Sequence, residues 1–172
     1  DAVLDAALQA RLSDGGRTFR DPELGLAIHL PQGEPGWHWE GAERRHGAPV
    51  SLASADGAVR VFAGAMAVEM PLDALGPMLA RHAADGRGYR EIASRLVRRG
   101  SAEFWEIESE SGSSEDGARV HERRRLYRGL HGTISVTALG RTDRYGHHEA
   151  ALVEALDGVE VSPLPAAPSP GS

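Results

Sequence analysis

The chain has 172 residues, 41% hydrophobic and 26% charged, which suits one soluble globular domain with a substantial core. Its formal net charge of −6 disfavours wholesale binding to nucleic acid or an anionic membrane. It has no cysteine, and all 19 of its basic residues are arginine, so disulfides, thiol catalysis, Cys-ligated zinc and lysine Schiff bases are excluded.

The first predicted element is a helix over residues 1–12, where Leu4, Leu8 and Leu12 recur every four positions. Ser13-Asp14-Gly15-Gly16 breaks it. The stripe packs on this domain or an upstream one, or docks a partner helix. Residues 18–21 and 24–30 read as a bent pair of strands. Leu24, Leu26, Ile28 and Leu30 share one face, Pro22 makes the corner and Pro31 ends the ladder. Residues 32–49 are loop-like, rich in Gly, Pro and Trp. Strands follow at 50–54 and 59–70, joined by the turn Asp56-Gly57.

Residues 71–84 read as a helix with Leu72, Leu75, Leu79 and His82 on one side, kinked or delayed by Pro77. Residues 89–99 are ambiguous, because Tyr89, Ile92, Ala93, Leu96 and Val97 fit a helical stripe. Residues 102–110, 118–128 and 131–139 are strands. A last helix starts at Thr142 or Asp143 and stops at Asp157-Gly158, and Val159 and Val161 add a short final strand. The ending PLPAAPSPGS has four prolines in ten residues and reads as a flexible tail.

The stretch AEFWEIESESGSSEDGARVHERRRLYR runs acidic, then basic, and predicts a hairpin register. Glu106 faces Arg123, Glu108 faces His121 and Glu110 faces Arg119, on a face read as wet. Trp105, Ile107, Val120 and Leu126 form the buried face. The pairing neutralises most of the RRRLYR charge, so this strip is a poor nucleic-acid site.

No G-x-S-x-G elbow, H-E-x-x-H, P-loop or G-x-G-x-x-G is present, and no run of about 18 apolar residues spans a membrane. Asp143 and His147 lie four apart on a predicted helix and are the candidate metal pair. No second local pair completes a tetrahedral set, and plain surface histidines are the alternative. Trp37, His38 and Trp39 are the candidate partner-binding residues, since tryptophan offers large contact area. The alternative is that one or both indoles cover the sheet.

The opening F-x-D-x-x-x-G-L-x-I-x-L-P-x-G, from Phe19 to Gly33, resembles the PsbP-like fold family. That group includes extrinsic photosystem subunits, a Mog-type Ran-binding protein and DcrB-type proteins. EIASRLVRRGSAEFWEIES, GLHGTISVTALGRTDRY and the closing VEVS match it in element order. The resemblance implies an α+β fold, with a central antiparallel β-sheet flanked by helices on both faces, an α/β/α sandwich. It also implies that residues 89–99 are extended.

Three segments are expected: an N-terminal helix and linker (1–16), the PsbP-like domain (17–162) and the tail (163–172). Members of the group are mostly non-enzymatic, so the expectation is a non-catalytic protein-binding or assembly module, bacterial in style, without a cofactor and with another protein as its partner. The alternatives are a small-ligand or metal-binding protein with a pocket between sheet and helix, and a hydrolase with an unrecognised site. The chain begins at Asp1, which fits a processed chain, and an exported or cell-surface location is favoured over the cytoplasm.

Overall fold

The computed structural model describes residues 6–41, 50–86, 88–112 and 117–162. Among the described residues the N-terminal helix α1 is Ala6–Gln9, so it ends before Leu12, and Leu4 lies outside the described residues. Leu12 belongs to a two-residue strand, β1 (Leu12–Ser13), that pairs with Phe19 of β2 (Thr18–Asp21). The turn between them uses left-handed backbone at Asp14, Gly15 and Gly16.

β2 turns back into β3 (Leu26–His29) as an antiparallel hairpin. Leu24 is in the turn rather than the strand, because the Asp21 carboxylate accepts the amides of Glu23 and Leu24. Gly25 closes this turn at φ +66, and a Cβ there would come within 2.9 Å of Ser162. That close approach lets β11 (Glu160–Val161) pair with β3, completing a four-stranded sheet in the order β1-β2-β3-β11.

The larger sheet has seven antiparallel strands in the order β4-β5-β6-β10-β9-β8-β7. They are β4 (His38–Glu40), β5 (Val50–Ala53), β6 (Val59–Met66), β7 (Arg90–Arg99), β8 (Ala102–Gly112), β9 (Arg119–Gly129) and β10 (Gly132–Arg141). β4 lies inside the stretch read as loop, being too short for alternation to show. β7 is extended despite its helical periodicity, with a bulge at Ile92 between Glu91 and Ala93. The helix α2 is Leu72–Ala84, with Pro77 inside it, and α3 is Thr142–Asp157. The fold is therefore mixed α+β with antiparallel sheets.

The β8–β9 hairpin forms, but two residues away from the expected register. Glu106 faces Arg125, Glu108 faces Arg123 and Glu110 faces His121. The faces alternate as expected, since a shift of two preserves side-chain direction. The charged face is not wet, however. Glu106 is 5% exposed and Arg125 2%, and Asp157 at the end of α3 reaches this face.

Buried residues form two clusters. One joins Phe104, Tyr127, Ile134 and Val136 of the sheet to Tyr145, Leu152 and Leu156 of α3, with Trp37 and Trp39. The other joins Ile107 and Leu126 to Leu72 and Leu75 of α2. Their burial offsets the entropy of ordering the chain.

Candidate functional site

The three places that gather functional groups are built from residues far apart in sequence. The first surrounds Trp37. Both indoles of the Trp37–Trp39 segment lie inside the molecule, each 7% exposed. β-Strand alternation turns Trp39 inward, where Nε1 donates to the Gly16 carbonyl at 2.6 Å and the ring tilts against Phe19. Trp37 Nε1 donates to the Glu34 carboxylate, and its ring meets His148 edge-on. His38, between them, is exposed, with Nδ1 3.1 Å from the Gly36 carbonyl and Nε2 3.8 Å from Glu40. The side chains expected to form a contact surface are thus split, two inward and one outward.

The same corner holds a carboxylate–imidazole–carboxylate clasp. His148 projects from α3, with Nδ1 2.8 Å from Glu34 Oε1 and Nε2 3.2 Å from Asp56 Oδ2. Asp56 also accepts from Ser54 Oγ at 2.6 Å and the Ala58 amide at 3.0 Å. Burial pushes the His148 pKa down, but the bonds to Glu34 and Asp56 outweigh it, leaving the pKa above the usual histidine value. The Ser54 and Ala58 hydrogen bonds hold the Asp56 carboxyl well below the usual aspartate range. The two His148 nitrogens point at opposite carboxylates, so the three residues share no common point for a metal.

Among the described residues no cluster of three or more His, Asp or Glu is placed to hold a metal ion. Of the candidate pair, one member already has a cation beside it. Asp143 takes Arg141 Nε at 3.2 Å, which lowers its pKa, while His147 is exposed on α3. His148, its neighbour, turns inward instead, because adjacent helix positions point about 100° apart.

The second place is the ion-pair ladder between β8, β9 and α3. Arg125 donates from Nε to Glu106 at 2.8 Å and from Nη1 to Asp157 at 2.7 Å, with its guanidinium 4.5 Å over the Phe104 ring. Arg123 Nη2 lies 3.1 Å from Glu108, and His121 Nε2 lies 2.8 Å from the other oxygen of that carboxylate. His121 stacks on Tyr145 with ring centroids 4.1 Å apart, and burial pushes the Tyr145 hydroxyl up to about 12. These groups neutralise one another and none of them lines the cavities described below, so the ladder holds the hairpin to α3.

The third place is concave. A cavity of about 450 Å³ opens where β11, the start of β8, the end of β9 and the first turn of α2 meet. Leu72, Tyr127, Val159 and Val161 give it apolar walls, and Ser101, Glu103, Arg128 and Glu160 give it a polar rim. Its size falls within the usual range of small-molecule sites. A shallower hollow of about 410 Å³ lies against Arg20, Asp21 and Gly25 and shares Glu160 and Val161 with the cleft. Sequence reasoning missed the cleft because its walls come from residues 72, 101–103, 127–128 and 159–161. The one local signal was the short VEV strand.

No family model matches the sequence, and no curated protein matches it. Solved structures do share the fold. Cyanobacterial PsbP (CyanoP) of Synechocystis sp. PCC 6803 superposes with a TM-score of 0.60 at 10% identity, over 84% of this chain and 91% of its own. LpqN of Mycobacterium tuberculosis, a protein involved in cell envelope biogenesis, gives 0.59 at 12% identity, over 83% and 87%. PA94 of Pseudomonas aeruginosa gives 0.53 at 12% identity, over 86% and 96%. Likeness at this identity establishes the fold alone: it is PsbP-like, as the Phe19–Gly33 pattern suggests.

Proposed function

We propose that this chain is a non-catalytic accessory module that works by binding, and that the β11 cleft is its binding site. The observation that carries this reading is a cavity with apolar walls and a polar rim, of a size that holds a small molecule. The titratable groups gathered in the ladder and in the His148 clasp are tied to one another. The architecture behind the site is a sandwich, with α2 and α3 on opposite faces of the larger sheet. Support comes from strand alternation: Phe104 and Ile107, which differ in parity, join the α3 and α2 clusters respectively. The likeness to LpqN supports an exported or envelope setting.

The test is a thermal-shift panel of straight-chain amphiphiles and divalent cations on the wild type and on Ala102→Trp, which fills the cleft from an exposed strand position. Ligands that bind the native state raise its melting temperature by mass action. The expected result is a rise with amphiphiles in the wild type and none in the variant. Equal shifts in both proteins, or shifts with cations alone, contradict it.

A second reading has a protein partner meeting β4. β4 ends the order of the larger sheet and presents His38 to solvent. A photo-crosslinking residue at position 38 then recovers one stoichiometric partner in cells, and recovery of none counts against it.

A further inference from the structure

We propose that the cleft takes a singly charged carboxylate carried on an apolar chain, anchored by Arg128; this rests on the cleft being the binding site. Arg128 is set apart from its neighbours by its lack of a partner. Along β9, Arg119 reaches Glu110, Arg123 reaches Glu108, Arg124 reaches Glu122, and Arg125 reaches Glu106 and Asp157. What distinguishes Arg128 is that it makes no ion pair among the described residues; a buried Nε without a hydrogen bond it shares with Arg123 and Arg124. An acceptor arriving at the cleft rim gives this guanidinium the charged partner it lacks.

The two carboxylates on the cleft rim do not fill this role. Glu103 takes Arg98 Nε at 2.8 Å, outside the cleft lining. Glu160 takes His29 Nε2 at 2.9 Å and lies 3.9 Å from Arg20. Both glutamates thus have partners outside the cleft lining, and Arg128 is the charged side chain of that lining with no partner among the described residues. Its planar fork matches a carboxylate bidentately. A single cation balances a single negative charge, which favours a carboxylate over a dianionic phosphate. Leu72, Val159 and Val161 supply the surface for the apolar body, and burial there adds stabilisation in proportion to area. A cationic amphiphile meets the wrong charge, and a neutral one leaves Arg128 unpaired.

The experiment is isothermal titration calorimetry on the full chain, with octanoate, octylamine and octyl glucoside as probes below their micellar concentrations. The proteins are the wild type, Arg128→Gln and Ala102→Trp, each checked for a native circular dichroism spectrum. Octanoate binds the wild type, octylamine does not, and Arg128→Gln weakens octanoate by about tenfold or more. Ala102→Trp removes binding altogether. If Arg128→Gln binds octanoate as tightly as the wild type, or octyl glucoside binds as tightly as octanoate, the carboxylate anchor is wrong while the cleft stands. If none of the three probes binds, or Ala102→Trp binds them unchanged, the cleft itself is wrong and the proposal falls with it.

Discussion

Gly76 sits so close to Trp105 that a Cβ there would come within 2.3 Å of the indole. Alanine is the better helix former by about 1 kcal/mol, so propensity alone favours Gly76→Ala. The contact decides otherwise. Trp105 is held by a 2.9 Å hydrogen bond from Nε1 to Ser94 Oγ and has little room to retreat. Gly76→Ala is therefore expected to lower stability by about 1–3 kcal/mol in urea unfolding, and a stabilised variant would refute the packing. His148 makes a second residue-scale prediction. Its pKa is raised in the folded state, so its contribution is complete below the unfolded value of 6.5 and fades as pH rises through the folded value. Asp56 has the opposite sign: its lowered pKa gives stability above the ordinary aspartate range, lost as pH falls through the folded value. Trp37 adds an uncharged ring edge at the clasp. The stability gap between wild type and His148→Gln is thus wide near pH 6 and narrow near pH 9. A gap that does not change across that range contradicts the clasp.

At the scale of elements, the β8–β9 hairpin shows what its own sequence could and could not specify. Its acidic strand repeats Glu every second residue, and the facing positions 119, 121, 123 and 125 are all basic. Charge therefore fits two registers equally well. Packing chooses between them. The observed register sets Trp105 opposite Leu126, brings Phe104 to 5.4 Å from Tyr127 and lays Arg125 over Phe104. Burial of the charged face was not legible, because what reaches over it is Tyr145 and Asp157 of α3. Arg125 is the tie between hairpin and helix. Arg125→Leu leaves the buried Glu106 with Arg95 alone, 3.8 Å away, and is expected to cost about 3–5 kcal/mol, with partial recovery on adding Glu106→Gln. Both are read by chemical denaturation, and a loss below about 1 kcal/mol would show that the ladder is ornamental to stability. β7 shows the opposite case, where a sheet overrides periodicity. Its apolar residues recur like a helix, yet it lies in the outermost strand, where Arg90, Arg95 and Arg98 pair with the glutamates of β8.

At the scale of the whole molecule, local patterns carried the order of elements and the PsbP-like fold, because turns and strand alternation are written in short stretches. The sites were not written that way. His148 meets Glu34 across 114 residues and Asp56 across 92, and His29 meets Glu160 across 131. Trp37 and Trp39 looked like a contact loop in the sequence because nothing local shows that α1, β2 and α3 close over them. β11 returns to β3 at the far end of the chain as the fourth strand of the smaller sheet, and its residues line the cleft. The measurement that tests this account most directly is an amide correlation spectrum recorded during titration with octanoate. Binding in the cleft predicts saturable shifts confined to residues 72, 101–103, 127–128 and 159–161, with the 34–39 segment and His148 unmoved. Shifts centred on the His148 corner or spread along β4, with the cleft silent, would contradict it.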